Sequence, residues 1–123
     1  MSEPRGVIVR EPALLVTINQ LYRDDMSAEE LYEATRGVWV LGPRREQVEL
    51  VLAVFKGIVR EVYRIERWLP AATLVYRTRS DIPAYRGSCR WEFEGVAATD
   101  VRDRYIGEWV GRGGQNPVRY VNA

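Results

Sequence analysis

Residues 50–70 read LVLAVFKGIVREVYRIERWLP, and the way this stretch divides decides the fold. Its first part is β-branched and aromatic, the composition of a buried strand, and is assigned to a strand over about 50–56. Lys56-Gly57 then reads as a tight turn. Beyond it Val59, Glu61, Tyr63 and Ile65 alternate with Arg60, Val62, Arg64 and Glu66, the period of two of an extended strand. Both sets contain apolar residues, as strands of a barrel do. Pro70 stops the run. A long hairpin therefore anchors the domain.

Working towards the N-terminus, GPRREQV (42–48) offers Pro at a first helical position, and a short helix is expected at about 43–49. VWVLG (38–42) reads as a short strand. In DDMSAEELYEATRG (24–37), Ser27 and Glu30 form an S-x-x-E capping box, and Glu29 and Glu30 suit the positive helix end. Glu33 is grouped with them as a helix-start acid. Leu31 with Ala34 or Thr35 should face the core. ALLVTINQLY (13–22) alternates as a strand.

Towards the C-terminus, AATLVYRTRSDIPAYRGSC (71–89) holds turn residues, a short strand at 73–78 and the most mobile loop. RWEFEGVA is an alternating strand with Trp91 and Phe93 on one side. Arg90, Glu92 and Glu94 lie on the other, read as a salt-bridged surface. Thr99 should cap a further helix that ends at Gly107 and buries Val101 with Tyr105 or Ile106. WVGRGG is loop and PVRYVN the last strand. Few strand-helix-strand crossovers result. The expected fold is one α+β domain over residues 1–123, a small, largely antiparallel curled sheet or barrel with two or three short helices.

The chain of 123 residues is 46% hydrophobic and 28% charged, ordinary for a globular protein. The opening MSEPRGVIVREPALL has acids and a Pro where a signal peptide has a basic start and an apolar stretch, so a cytoplasmic location is expected. Cys89 is the only cysteine and there is no histidine, which removes the usual Cys/His zinc sites, Ser-His-Asp triads and His general bases. No cofactor is implied. With a net charge of +1 the molecule has no strong overall field for nucleic acid. Yet Lys56 is the sole lysine, and arginine supplies a planar fork for phosphates and guanine edges. A GC-rich genome explains the same bias.

Together the phrases MSAEELYEATRGVWVLGPRRE, LAVFKGIVREVYRIERWLPA, RWEFEGVAATDVRDRYIG and GGQNPVRYVN resemble a small bacterial family of stand-alone domains with no assigned function. The element order is also similar to PUA-like barrels of the ASCH and EVE kind. That second resemblance implies a reader of nucleic acid or of a modified base, with an aromatic pocket and a basic rim. Neither resemblance supplies catalytic residues.

Several groups of residues could carry such binding. Trp39 offers a stacking ring and Arg44, Arg45 and Lys56 offer cations for phosphates. The alternative is a core tryptophan beside a solvated helix start. Arg60, Arg64 and Arg67, interleaved with Glu61 and Glu66, read as cross-strand ion pairs on a wet face. Of the four tryptophans at least two should be core, and Trp109, in a glycine-flanked loop, is the candidate for partial exposure. Asp24, Asp25, Glu29, Glu30 and Glu33 could hold a divalent metal for nuclease chemistry, against their roles in a turn and a helix start. Gln115 and Asn116 carry amides able to pair a base edge or to satisfy a turn, flanked by Arg112 and Arg119. The favoured expectation is a non-enzymatic module binding DNA or RNA, a reader of a modified or flipped base in an aromatic and amide pocket with an arginine rim, through Trp39, Arg44, Arg45, Lys56, Trp109, Arg112, Gln115, Asn116 and Arg119. The alternatives are a carboxylate-and-metal hydrolase or a protein–protein adaptor.

Overall fold

The computed structural model describes residues 6–19, 21–111 and 116–123. In chain order its elements are β1 (Ala13–Thr17), α1 (Ala28–Arg36), β2 (Gly37–Trp39), β3 (Leu50–Phe55), β4 (Ile58–Pro70), β5 (Trp91–Ala97), α2 (Arg102–Tyr105) and β6 (Val118–Val121). Short 3-10 turns lie at Pro43–Gln47 and Ile82–Tyr85. The 50–70 stretch forms the expected hairpin, with Lys56 and Gly57 both at positive φ.

The six strands make one sheet in the order β2-β5-β4-β3-β1-β6. Four of its five pairings are antiparallel; β1 and β3 run parallel, with Ala13 beside Leu50 and Thr17 beside Val54. A parallel neighbour needs a long crossover, and the chain supplies it through α1, β2 and the 43–47 turn. Register shifts at Gly37/Trp39, Ala53/Val54 and Ile65/Arg67 add local twist. The sheet thereby curls into a half-barrel whose free edges are β2 and β6.

Both faces of the central strands are covered. On one face Leu15, Leu50, Leu52, Val54, Val59 and Val62 pack under Tyr105 of α2. On the other, Leu14, Val16, Val51, Ala53, Tyr63 and Phe93 pack with Ala34 of α1. Two-sided burial is why ALLV and LVLAV are apolar at every position, and the alternation expected over ALLVTINQLY does not hold for residues 13–16.

The capping box forms as expected: the Ser27 hydroxyl accepts from the Glu30 amide and the Glu30 carboxylate from the Ser27 amide, both at 3.1 Å. Three expectations are corrected. The helix at 43–49 is a 3-10 turn over Pro43–Gln47. No strand forms at 73–78, because the polar groups of that segment are taken by side chains from elsewhere. The helix after Thr99 is a single turn capped at Val101, without a Thr99 side-chain bond. It ends early because residues 107–110 pair with the hairpin: Gly107 donates to the Val59 carbonyl, Val59 to Glu108 and Val110 to Gly57. No helix among the described residues is long and apolar enough to cross a membrane.

Candidate functional site

The curl brings the two sheet edges towards each other, and a cleft of about 340 Å³ lies between them. Gly37 and Trp39 of β2 form one wall, Pro117 at the start of β6 the other, with Ala34 of α1 and Thr17, Ile18, Asn19 and Leu21 completing it. The Trp39 indole N–H donates to the Thr35 carbonyl at 2.8 Å, which fixes the ring plane at the wall. The Thr17 amide donates to the Pro117 carbonyl at 2.8 Å and locks the opposite side. The walls are chiefly apolar, with the Asn19 amide and Thr17 hydroxyl as polar groups.

Asn116 borders a second, smaller groove of about 190 Å³ that shares Thr17 and Pro117 with the cleft. Its side-chain oxygen accepts from the Val118 amide at 3.1 Å, an Asx turn that sets the start of β6. Arg119 lines the same groove and donates to the Val110 carbonyl at 2.7 Å. Trp39 thus shares the cleft with Pro117, while Asn116 lines only the adjoining groove. Arg112 and Gln115 lie outside the described residues.

The other expected residues line neither cavity. Arg44 stacks over Tyr120 at 4.4 Å and donates to the Ala123 carbonyl, while Arg45 lies 3.4 Å from the centre of the Trp91 ring. Lys56 is exposed at the hairpin tip. Trp109 is half-buried, its ring laid over Gly57. Arg64 pairs with Asp100, Arg67 with Glu94 across β4 and β5, and Arg102 with Glu61. Of these only Arg67–Glu94 joins two strands; Glu61 is mostly buried, and among the described residues Arg60 lies against the rings of Tyr22 and Phe55 instead of a carboxylate. Arg23 holds Asp25 and Glu30, and no group of three or more acids among the described residues is placed to hold a metal.

Two glutamates read as surface or helix-start residues are buried. Glu92 is fully buried in β5. Its carboxylate accepts from the amides of Ala72 and Thr73 at 3.0 Å, from that of Leu74, and from the Tyr76 hydroxyl at 2.8 Å. Three successive N–H groups round one anion make a nest, and Ala72 adopts φ +68° to form it. Glu33, on α1, accepts from the amides of Arg77 and Thr78 and from the Thr78 hydroxyl at 2.8–3.0 Å. Arg79 donates to the carbonyls of Glu33 and Gly37. Arg36, itself buried, lies between the rings of Tyr32 and Tyr76 and donates to the Val75 carbonyl. Residues 71–81 are thus a strap anchored on two buried carboxylates, where the sequence suggested the most mobile loop.

Nothing in the sequence separates Glu92 from Glu94: both sit on the same side of an alternating strand. Only the strap folding over Glu92 decides which of them is wet.

Burial pushes the Glu33 carboxyl up, but the Arg77 and Thr78 amides, the Thr78 hydroxyl and the Arg36 charge more than reverse this, leaving it below its ordinary value. A depressed carboxyl stabilises the folded state above the unfolded value of about 4.3, and that contribution is lost as pH falls through the lower folded value. Amide exchange at Arg77 and Thr78 should therefore accelerate below pH of about 4, ahead of the β3 amides. Simultaneous loss of protection in both regions would show that Glu33 is no local anchor.

No family model, no curated protein and no solved structure matches the chain.

Proposed function

We propose that the protein is a non-enzymatic nucleic-acid-binding module that holds one base in the cleft between β2 and β6. The observation that carries this reading is the convergence of Trp39, Asn19 and Pro117 on one cleft of about 340 Å³. A mainly apolar cleft with a tryptophan in its wall suits a heteroaromatic ring, whose faces stack and whose edge seeks a few amides. Asn19 supplies such an amide at the cleft, and Asn116 stands at the adjoining groove.

Replacing Trp39 with leucine is expected to weaken binding of nucleosides and short oligonucleotides by about 1–3 kcal/mol, the usual worth of one base–aromatic stack. Because Trp39 also packs in the core, Asn19→Ala serves as a second variant, expected to alter preference among bases with an unchanged melting temperature. Titration of the four common nucleosides and an oligonucleotide pool, followed by intrinsic fluorescence and anisotropy, measures both. Wild-type protein that takes up none of these ligands at low salt would end the reading.

A further inference from the structure

We propose that the segment 70–90 is the track along which the phosphates of a polynucleotide run, taken by Arg77, Arg86 and Arg90. The inference rests on the base-cleft reading and adds to it where the rest of the ligand lies. Between residues 70 and 90 stand four arginines (77, 79, 86 and 90) against one acid, Asp81, an excess of three positive charges in a chain of net charge +1. The rest of the chain carries a net charge of −2, so the positive excess lies in this segment.

Three of these four cations have no carboxylate at hydrogen-bonding distance among the described residues. Arg79 pairs with Asp81 at 2.8 Å. Arg77, by contrast, reaches Glu29 only at 3.9 Å with its side chain 80% exposed. Arg90 has a Tyr85 ring at 5.2 Å and Arg86 is exposed; among the described residues neither side chain meets a carboxylate. Their backbone is nevertheless tied down: the Arg77 amide donates to Glu33, the Arg90 carbonyl accepts from the Ala71 amide at 2.9 Å, and the Arg86 amide donates to the Pro83 carbonyl at 3.2 Å. Cations presented on an ordered backbone bind at a lower ordering cost than those on a loose loop.

Position ties the segment to the cleft. Gly37 lines the cleft, its carbonyl accepts from Arg79, and a Cβ placed on it would stand 2.6 Å from the Tyr76 hydroxyl. The strap therefore runs along the β2 wall. Its free cations are spread along the segment and do not converge on one cavity. Cations that share no cavity suit a chain of phosphates better than a single anion.

The test compares wild type with R77A/R86A/R90A, using a free nucleoside and a labelled single-stranded oligonucleotide across a range of salt concentrations. The affinity of wild type for the oligonucleotide should fall steeply with salt. The slope of log K against log salt should drop by about 0.7 for each phosphate contact removed, so by about 2 in the triple variant. Nucleoside affinity and melting temperature should stay as in wild type. An unchanged slope, no wild-type binding of the oligonucleotide, or binding of anionic phospholipid vesicles in its place would each overturn the track. Failure of the nucleoside alone to bind would instead sink the base cleft, and the oligonucleotide slope still decides the track.

Discussion

Glu92→Ala is expected to destabilise the protein by about 3–5 kcal/mol, the range seen when a buried charge network loses one partner. The carboxylate is the common acceptor for three consecutive amides and the Tyr76 hydroxyl, and each of these donors would be left in a closed interior. Burial first, and then the neighbouring Glu92, hold the Tyr76 phenol above its ordinary value, so it stays protonated and donating. Alanine also leaves Ala72 strained at φ +68° with nothing to reward it. Glutamine should recover only part of the loss, since its amide nitrogen would face donors with a donor. Chemical denaturation measures the stabilities, and limited proteolysis should cut the variant first within 71–81. A Glu92→Ala protein as stable as wild type, or one cut first elsewhere, would remove the anchor role.

Gly57→Ala should cost about 2–4 kcal/mol, combining a left-handed backbone position with overpacking. Gly57 has φ +79°, and a Cβ there would fall 2.2 Å from the Trp109 ring. The ring cannot simply swing away, because the Trp109 carbonyl accepts from the Val7 amide at 2.9 Å and its backbone bridges to Ile58. Gly87 provides the matched control: its φ is +74°, yet nothing lies within 4 Å of the added atom. Gly87→Ala therefore reports the backbone cost alone, about 1 kcal/mol. Thermal melts of the pair isolate the contact. If both substitutions shift the melting temperature equally, the Trp109 ring does not need the glycine.

The hairpin was legible because alternation, a Lys-Gly turn and a closing Pro all agree over residues 50–70. Helix α1 was legible because its capping box is a local device. What depends on distant chain was not. The parallel register of β1 on β3 leaves no mark in either strand, since two-sided burial makes both simply apolar. The early end of α2 follows from pairing of residues 107–110 with the hairpin, a contact made by chain some fifty residues away. Trp39 was a suspect in the sequence and Pro117 was not; it took curling of the sheet to set the two in one cleft. Arg44 and Arg45 looked free in a polar run, while the rings that engage them come from β5 and β6. The burial of Glu33 and Glu92 is the hardest case, because a nest of amides has no residue signature of its own.

The place of β1 has a consequence for how the protein is made. Ala13 is flanked by Leu50 on one side and by Val121 on the other. A chain emerging from the ribosome therefore presents Ala-Leu-Leu-Val-Thr long before either neighbour is in place, and the second arrives only with β6. Closing so large a loop is slow, and a strand apolar on both faces is prone to meet its like on another chain while it waits. Expression yield should thus be limited by aggregation of nascent protein, more than by the stability of the finished fold.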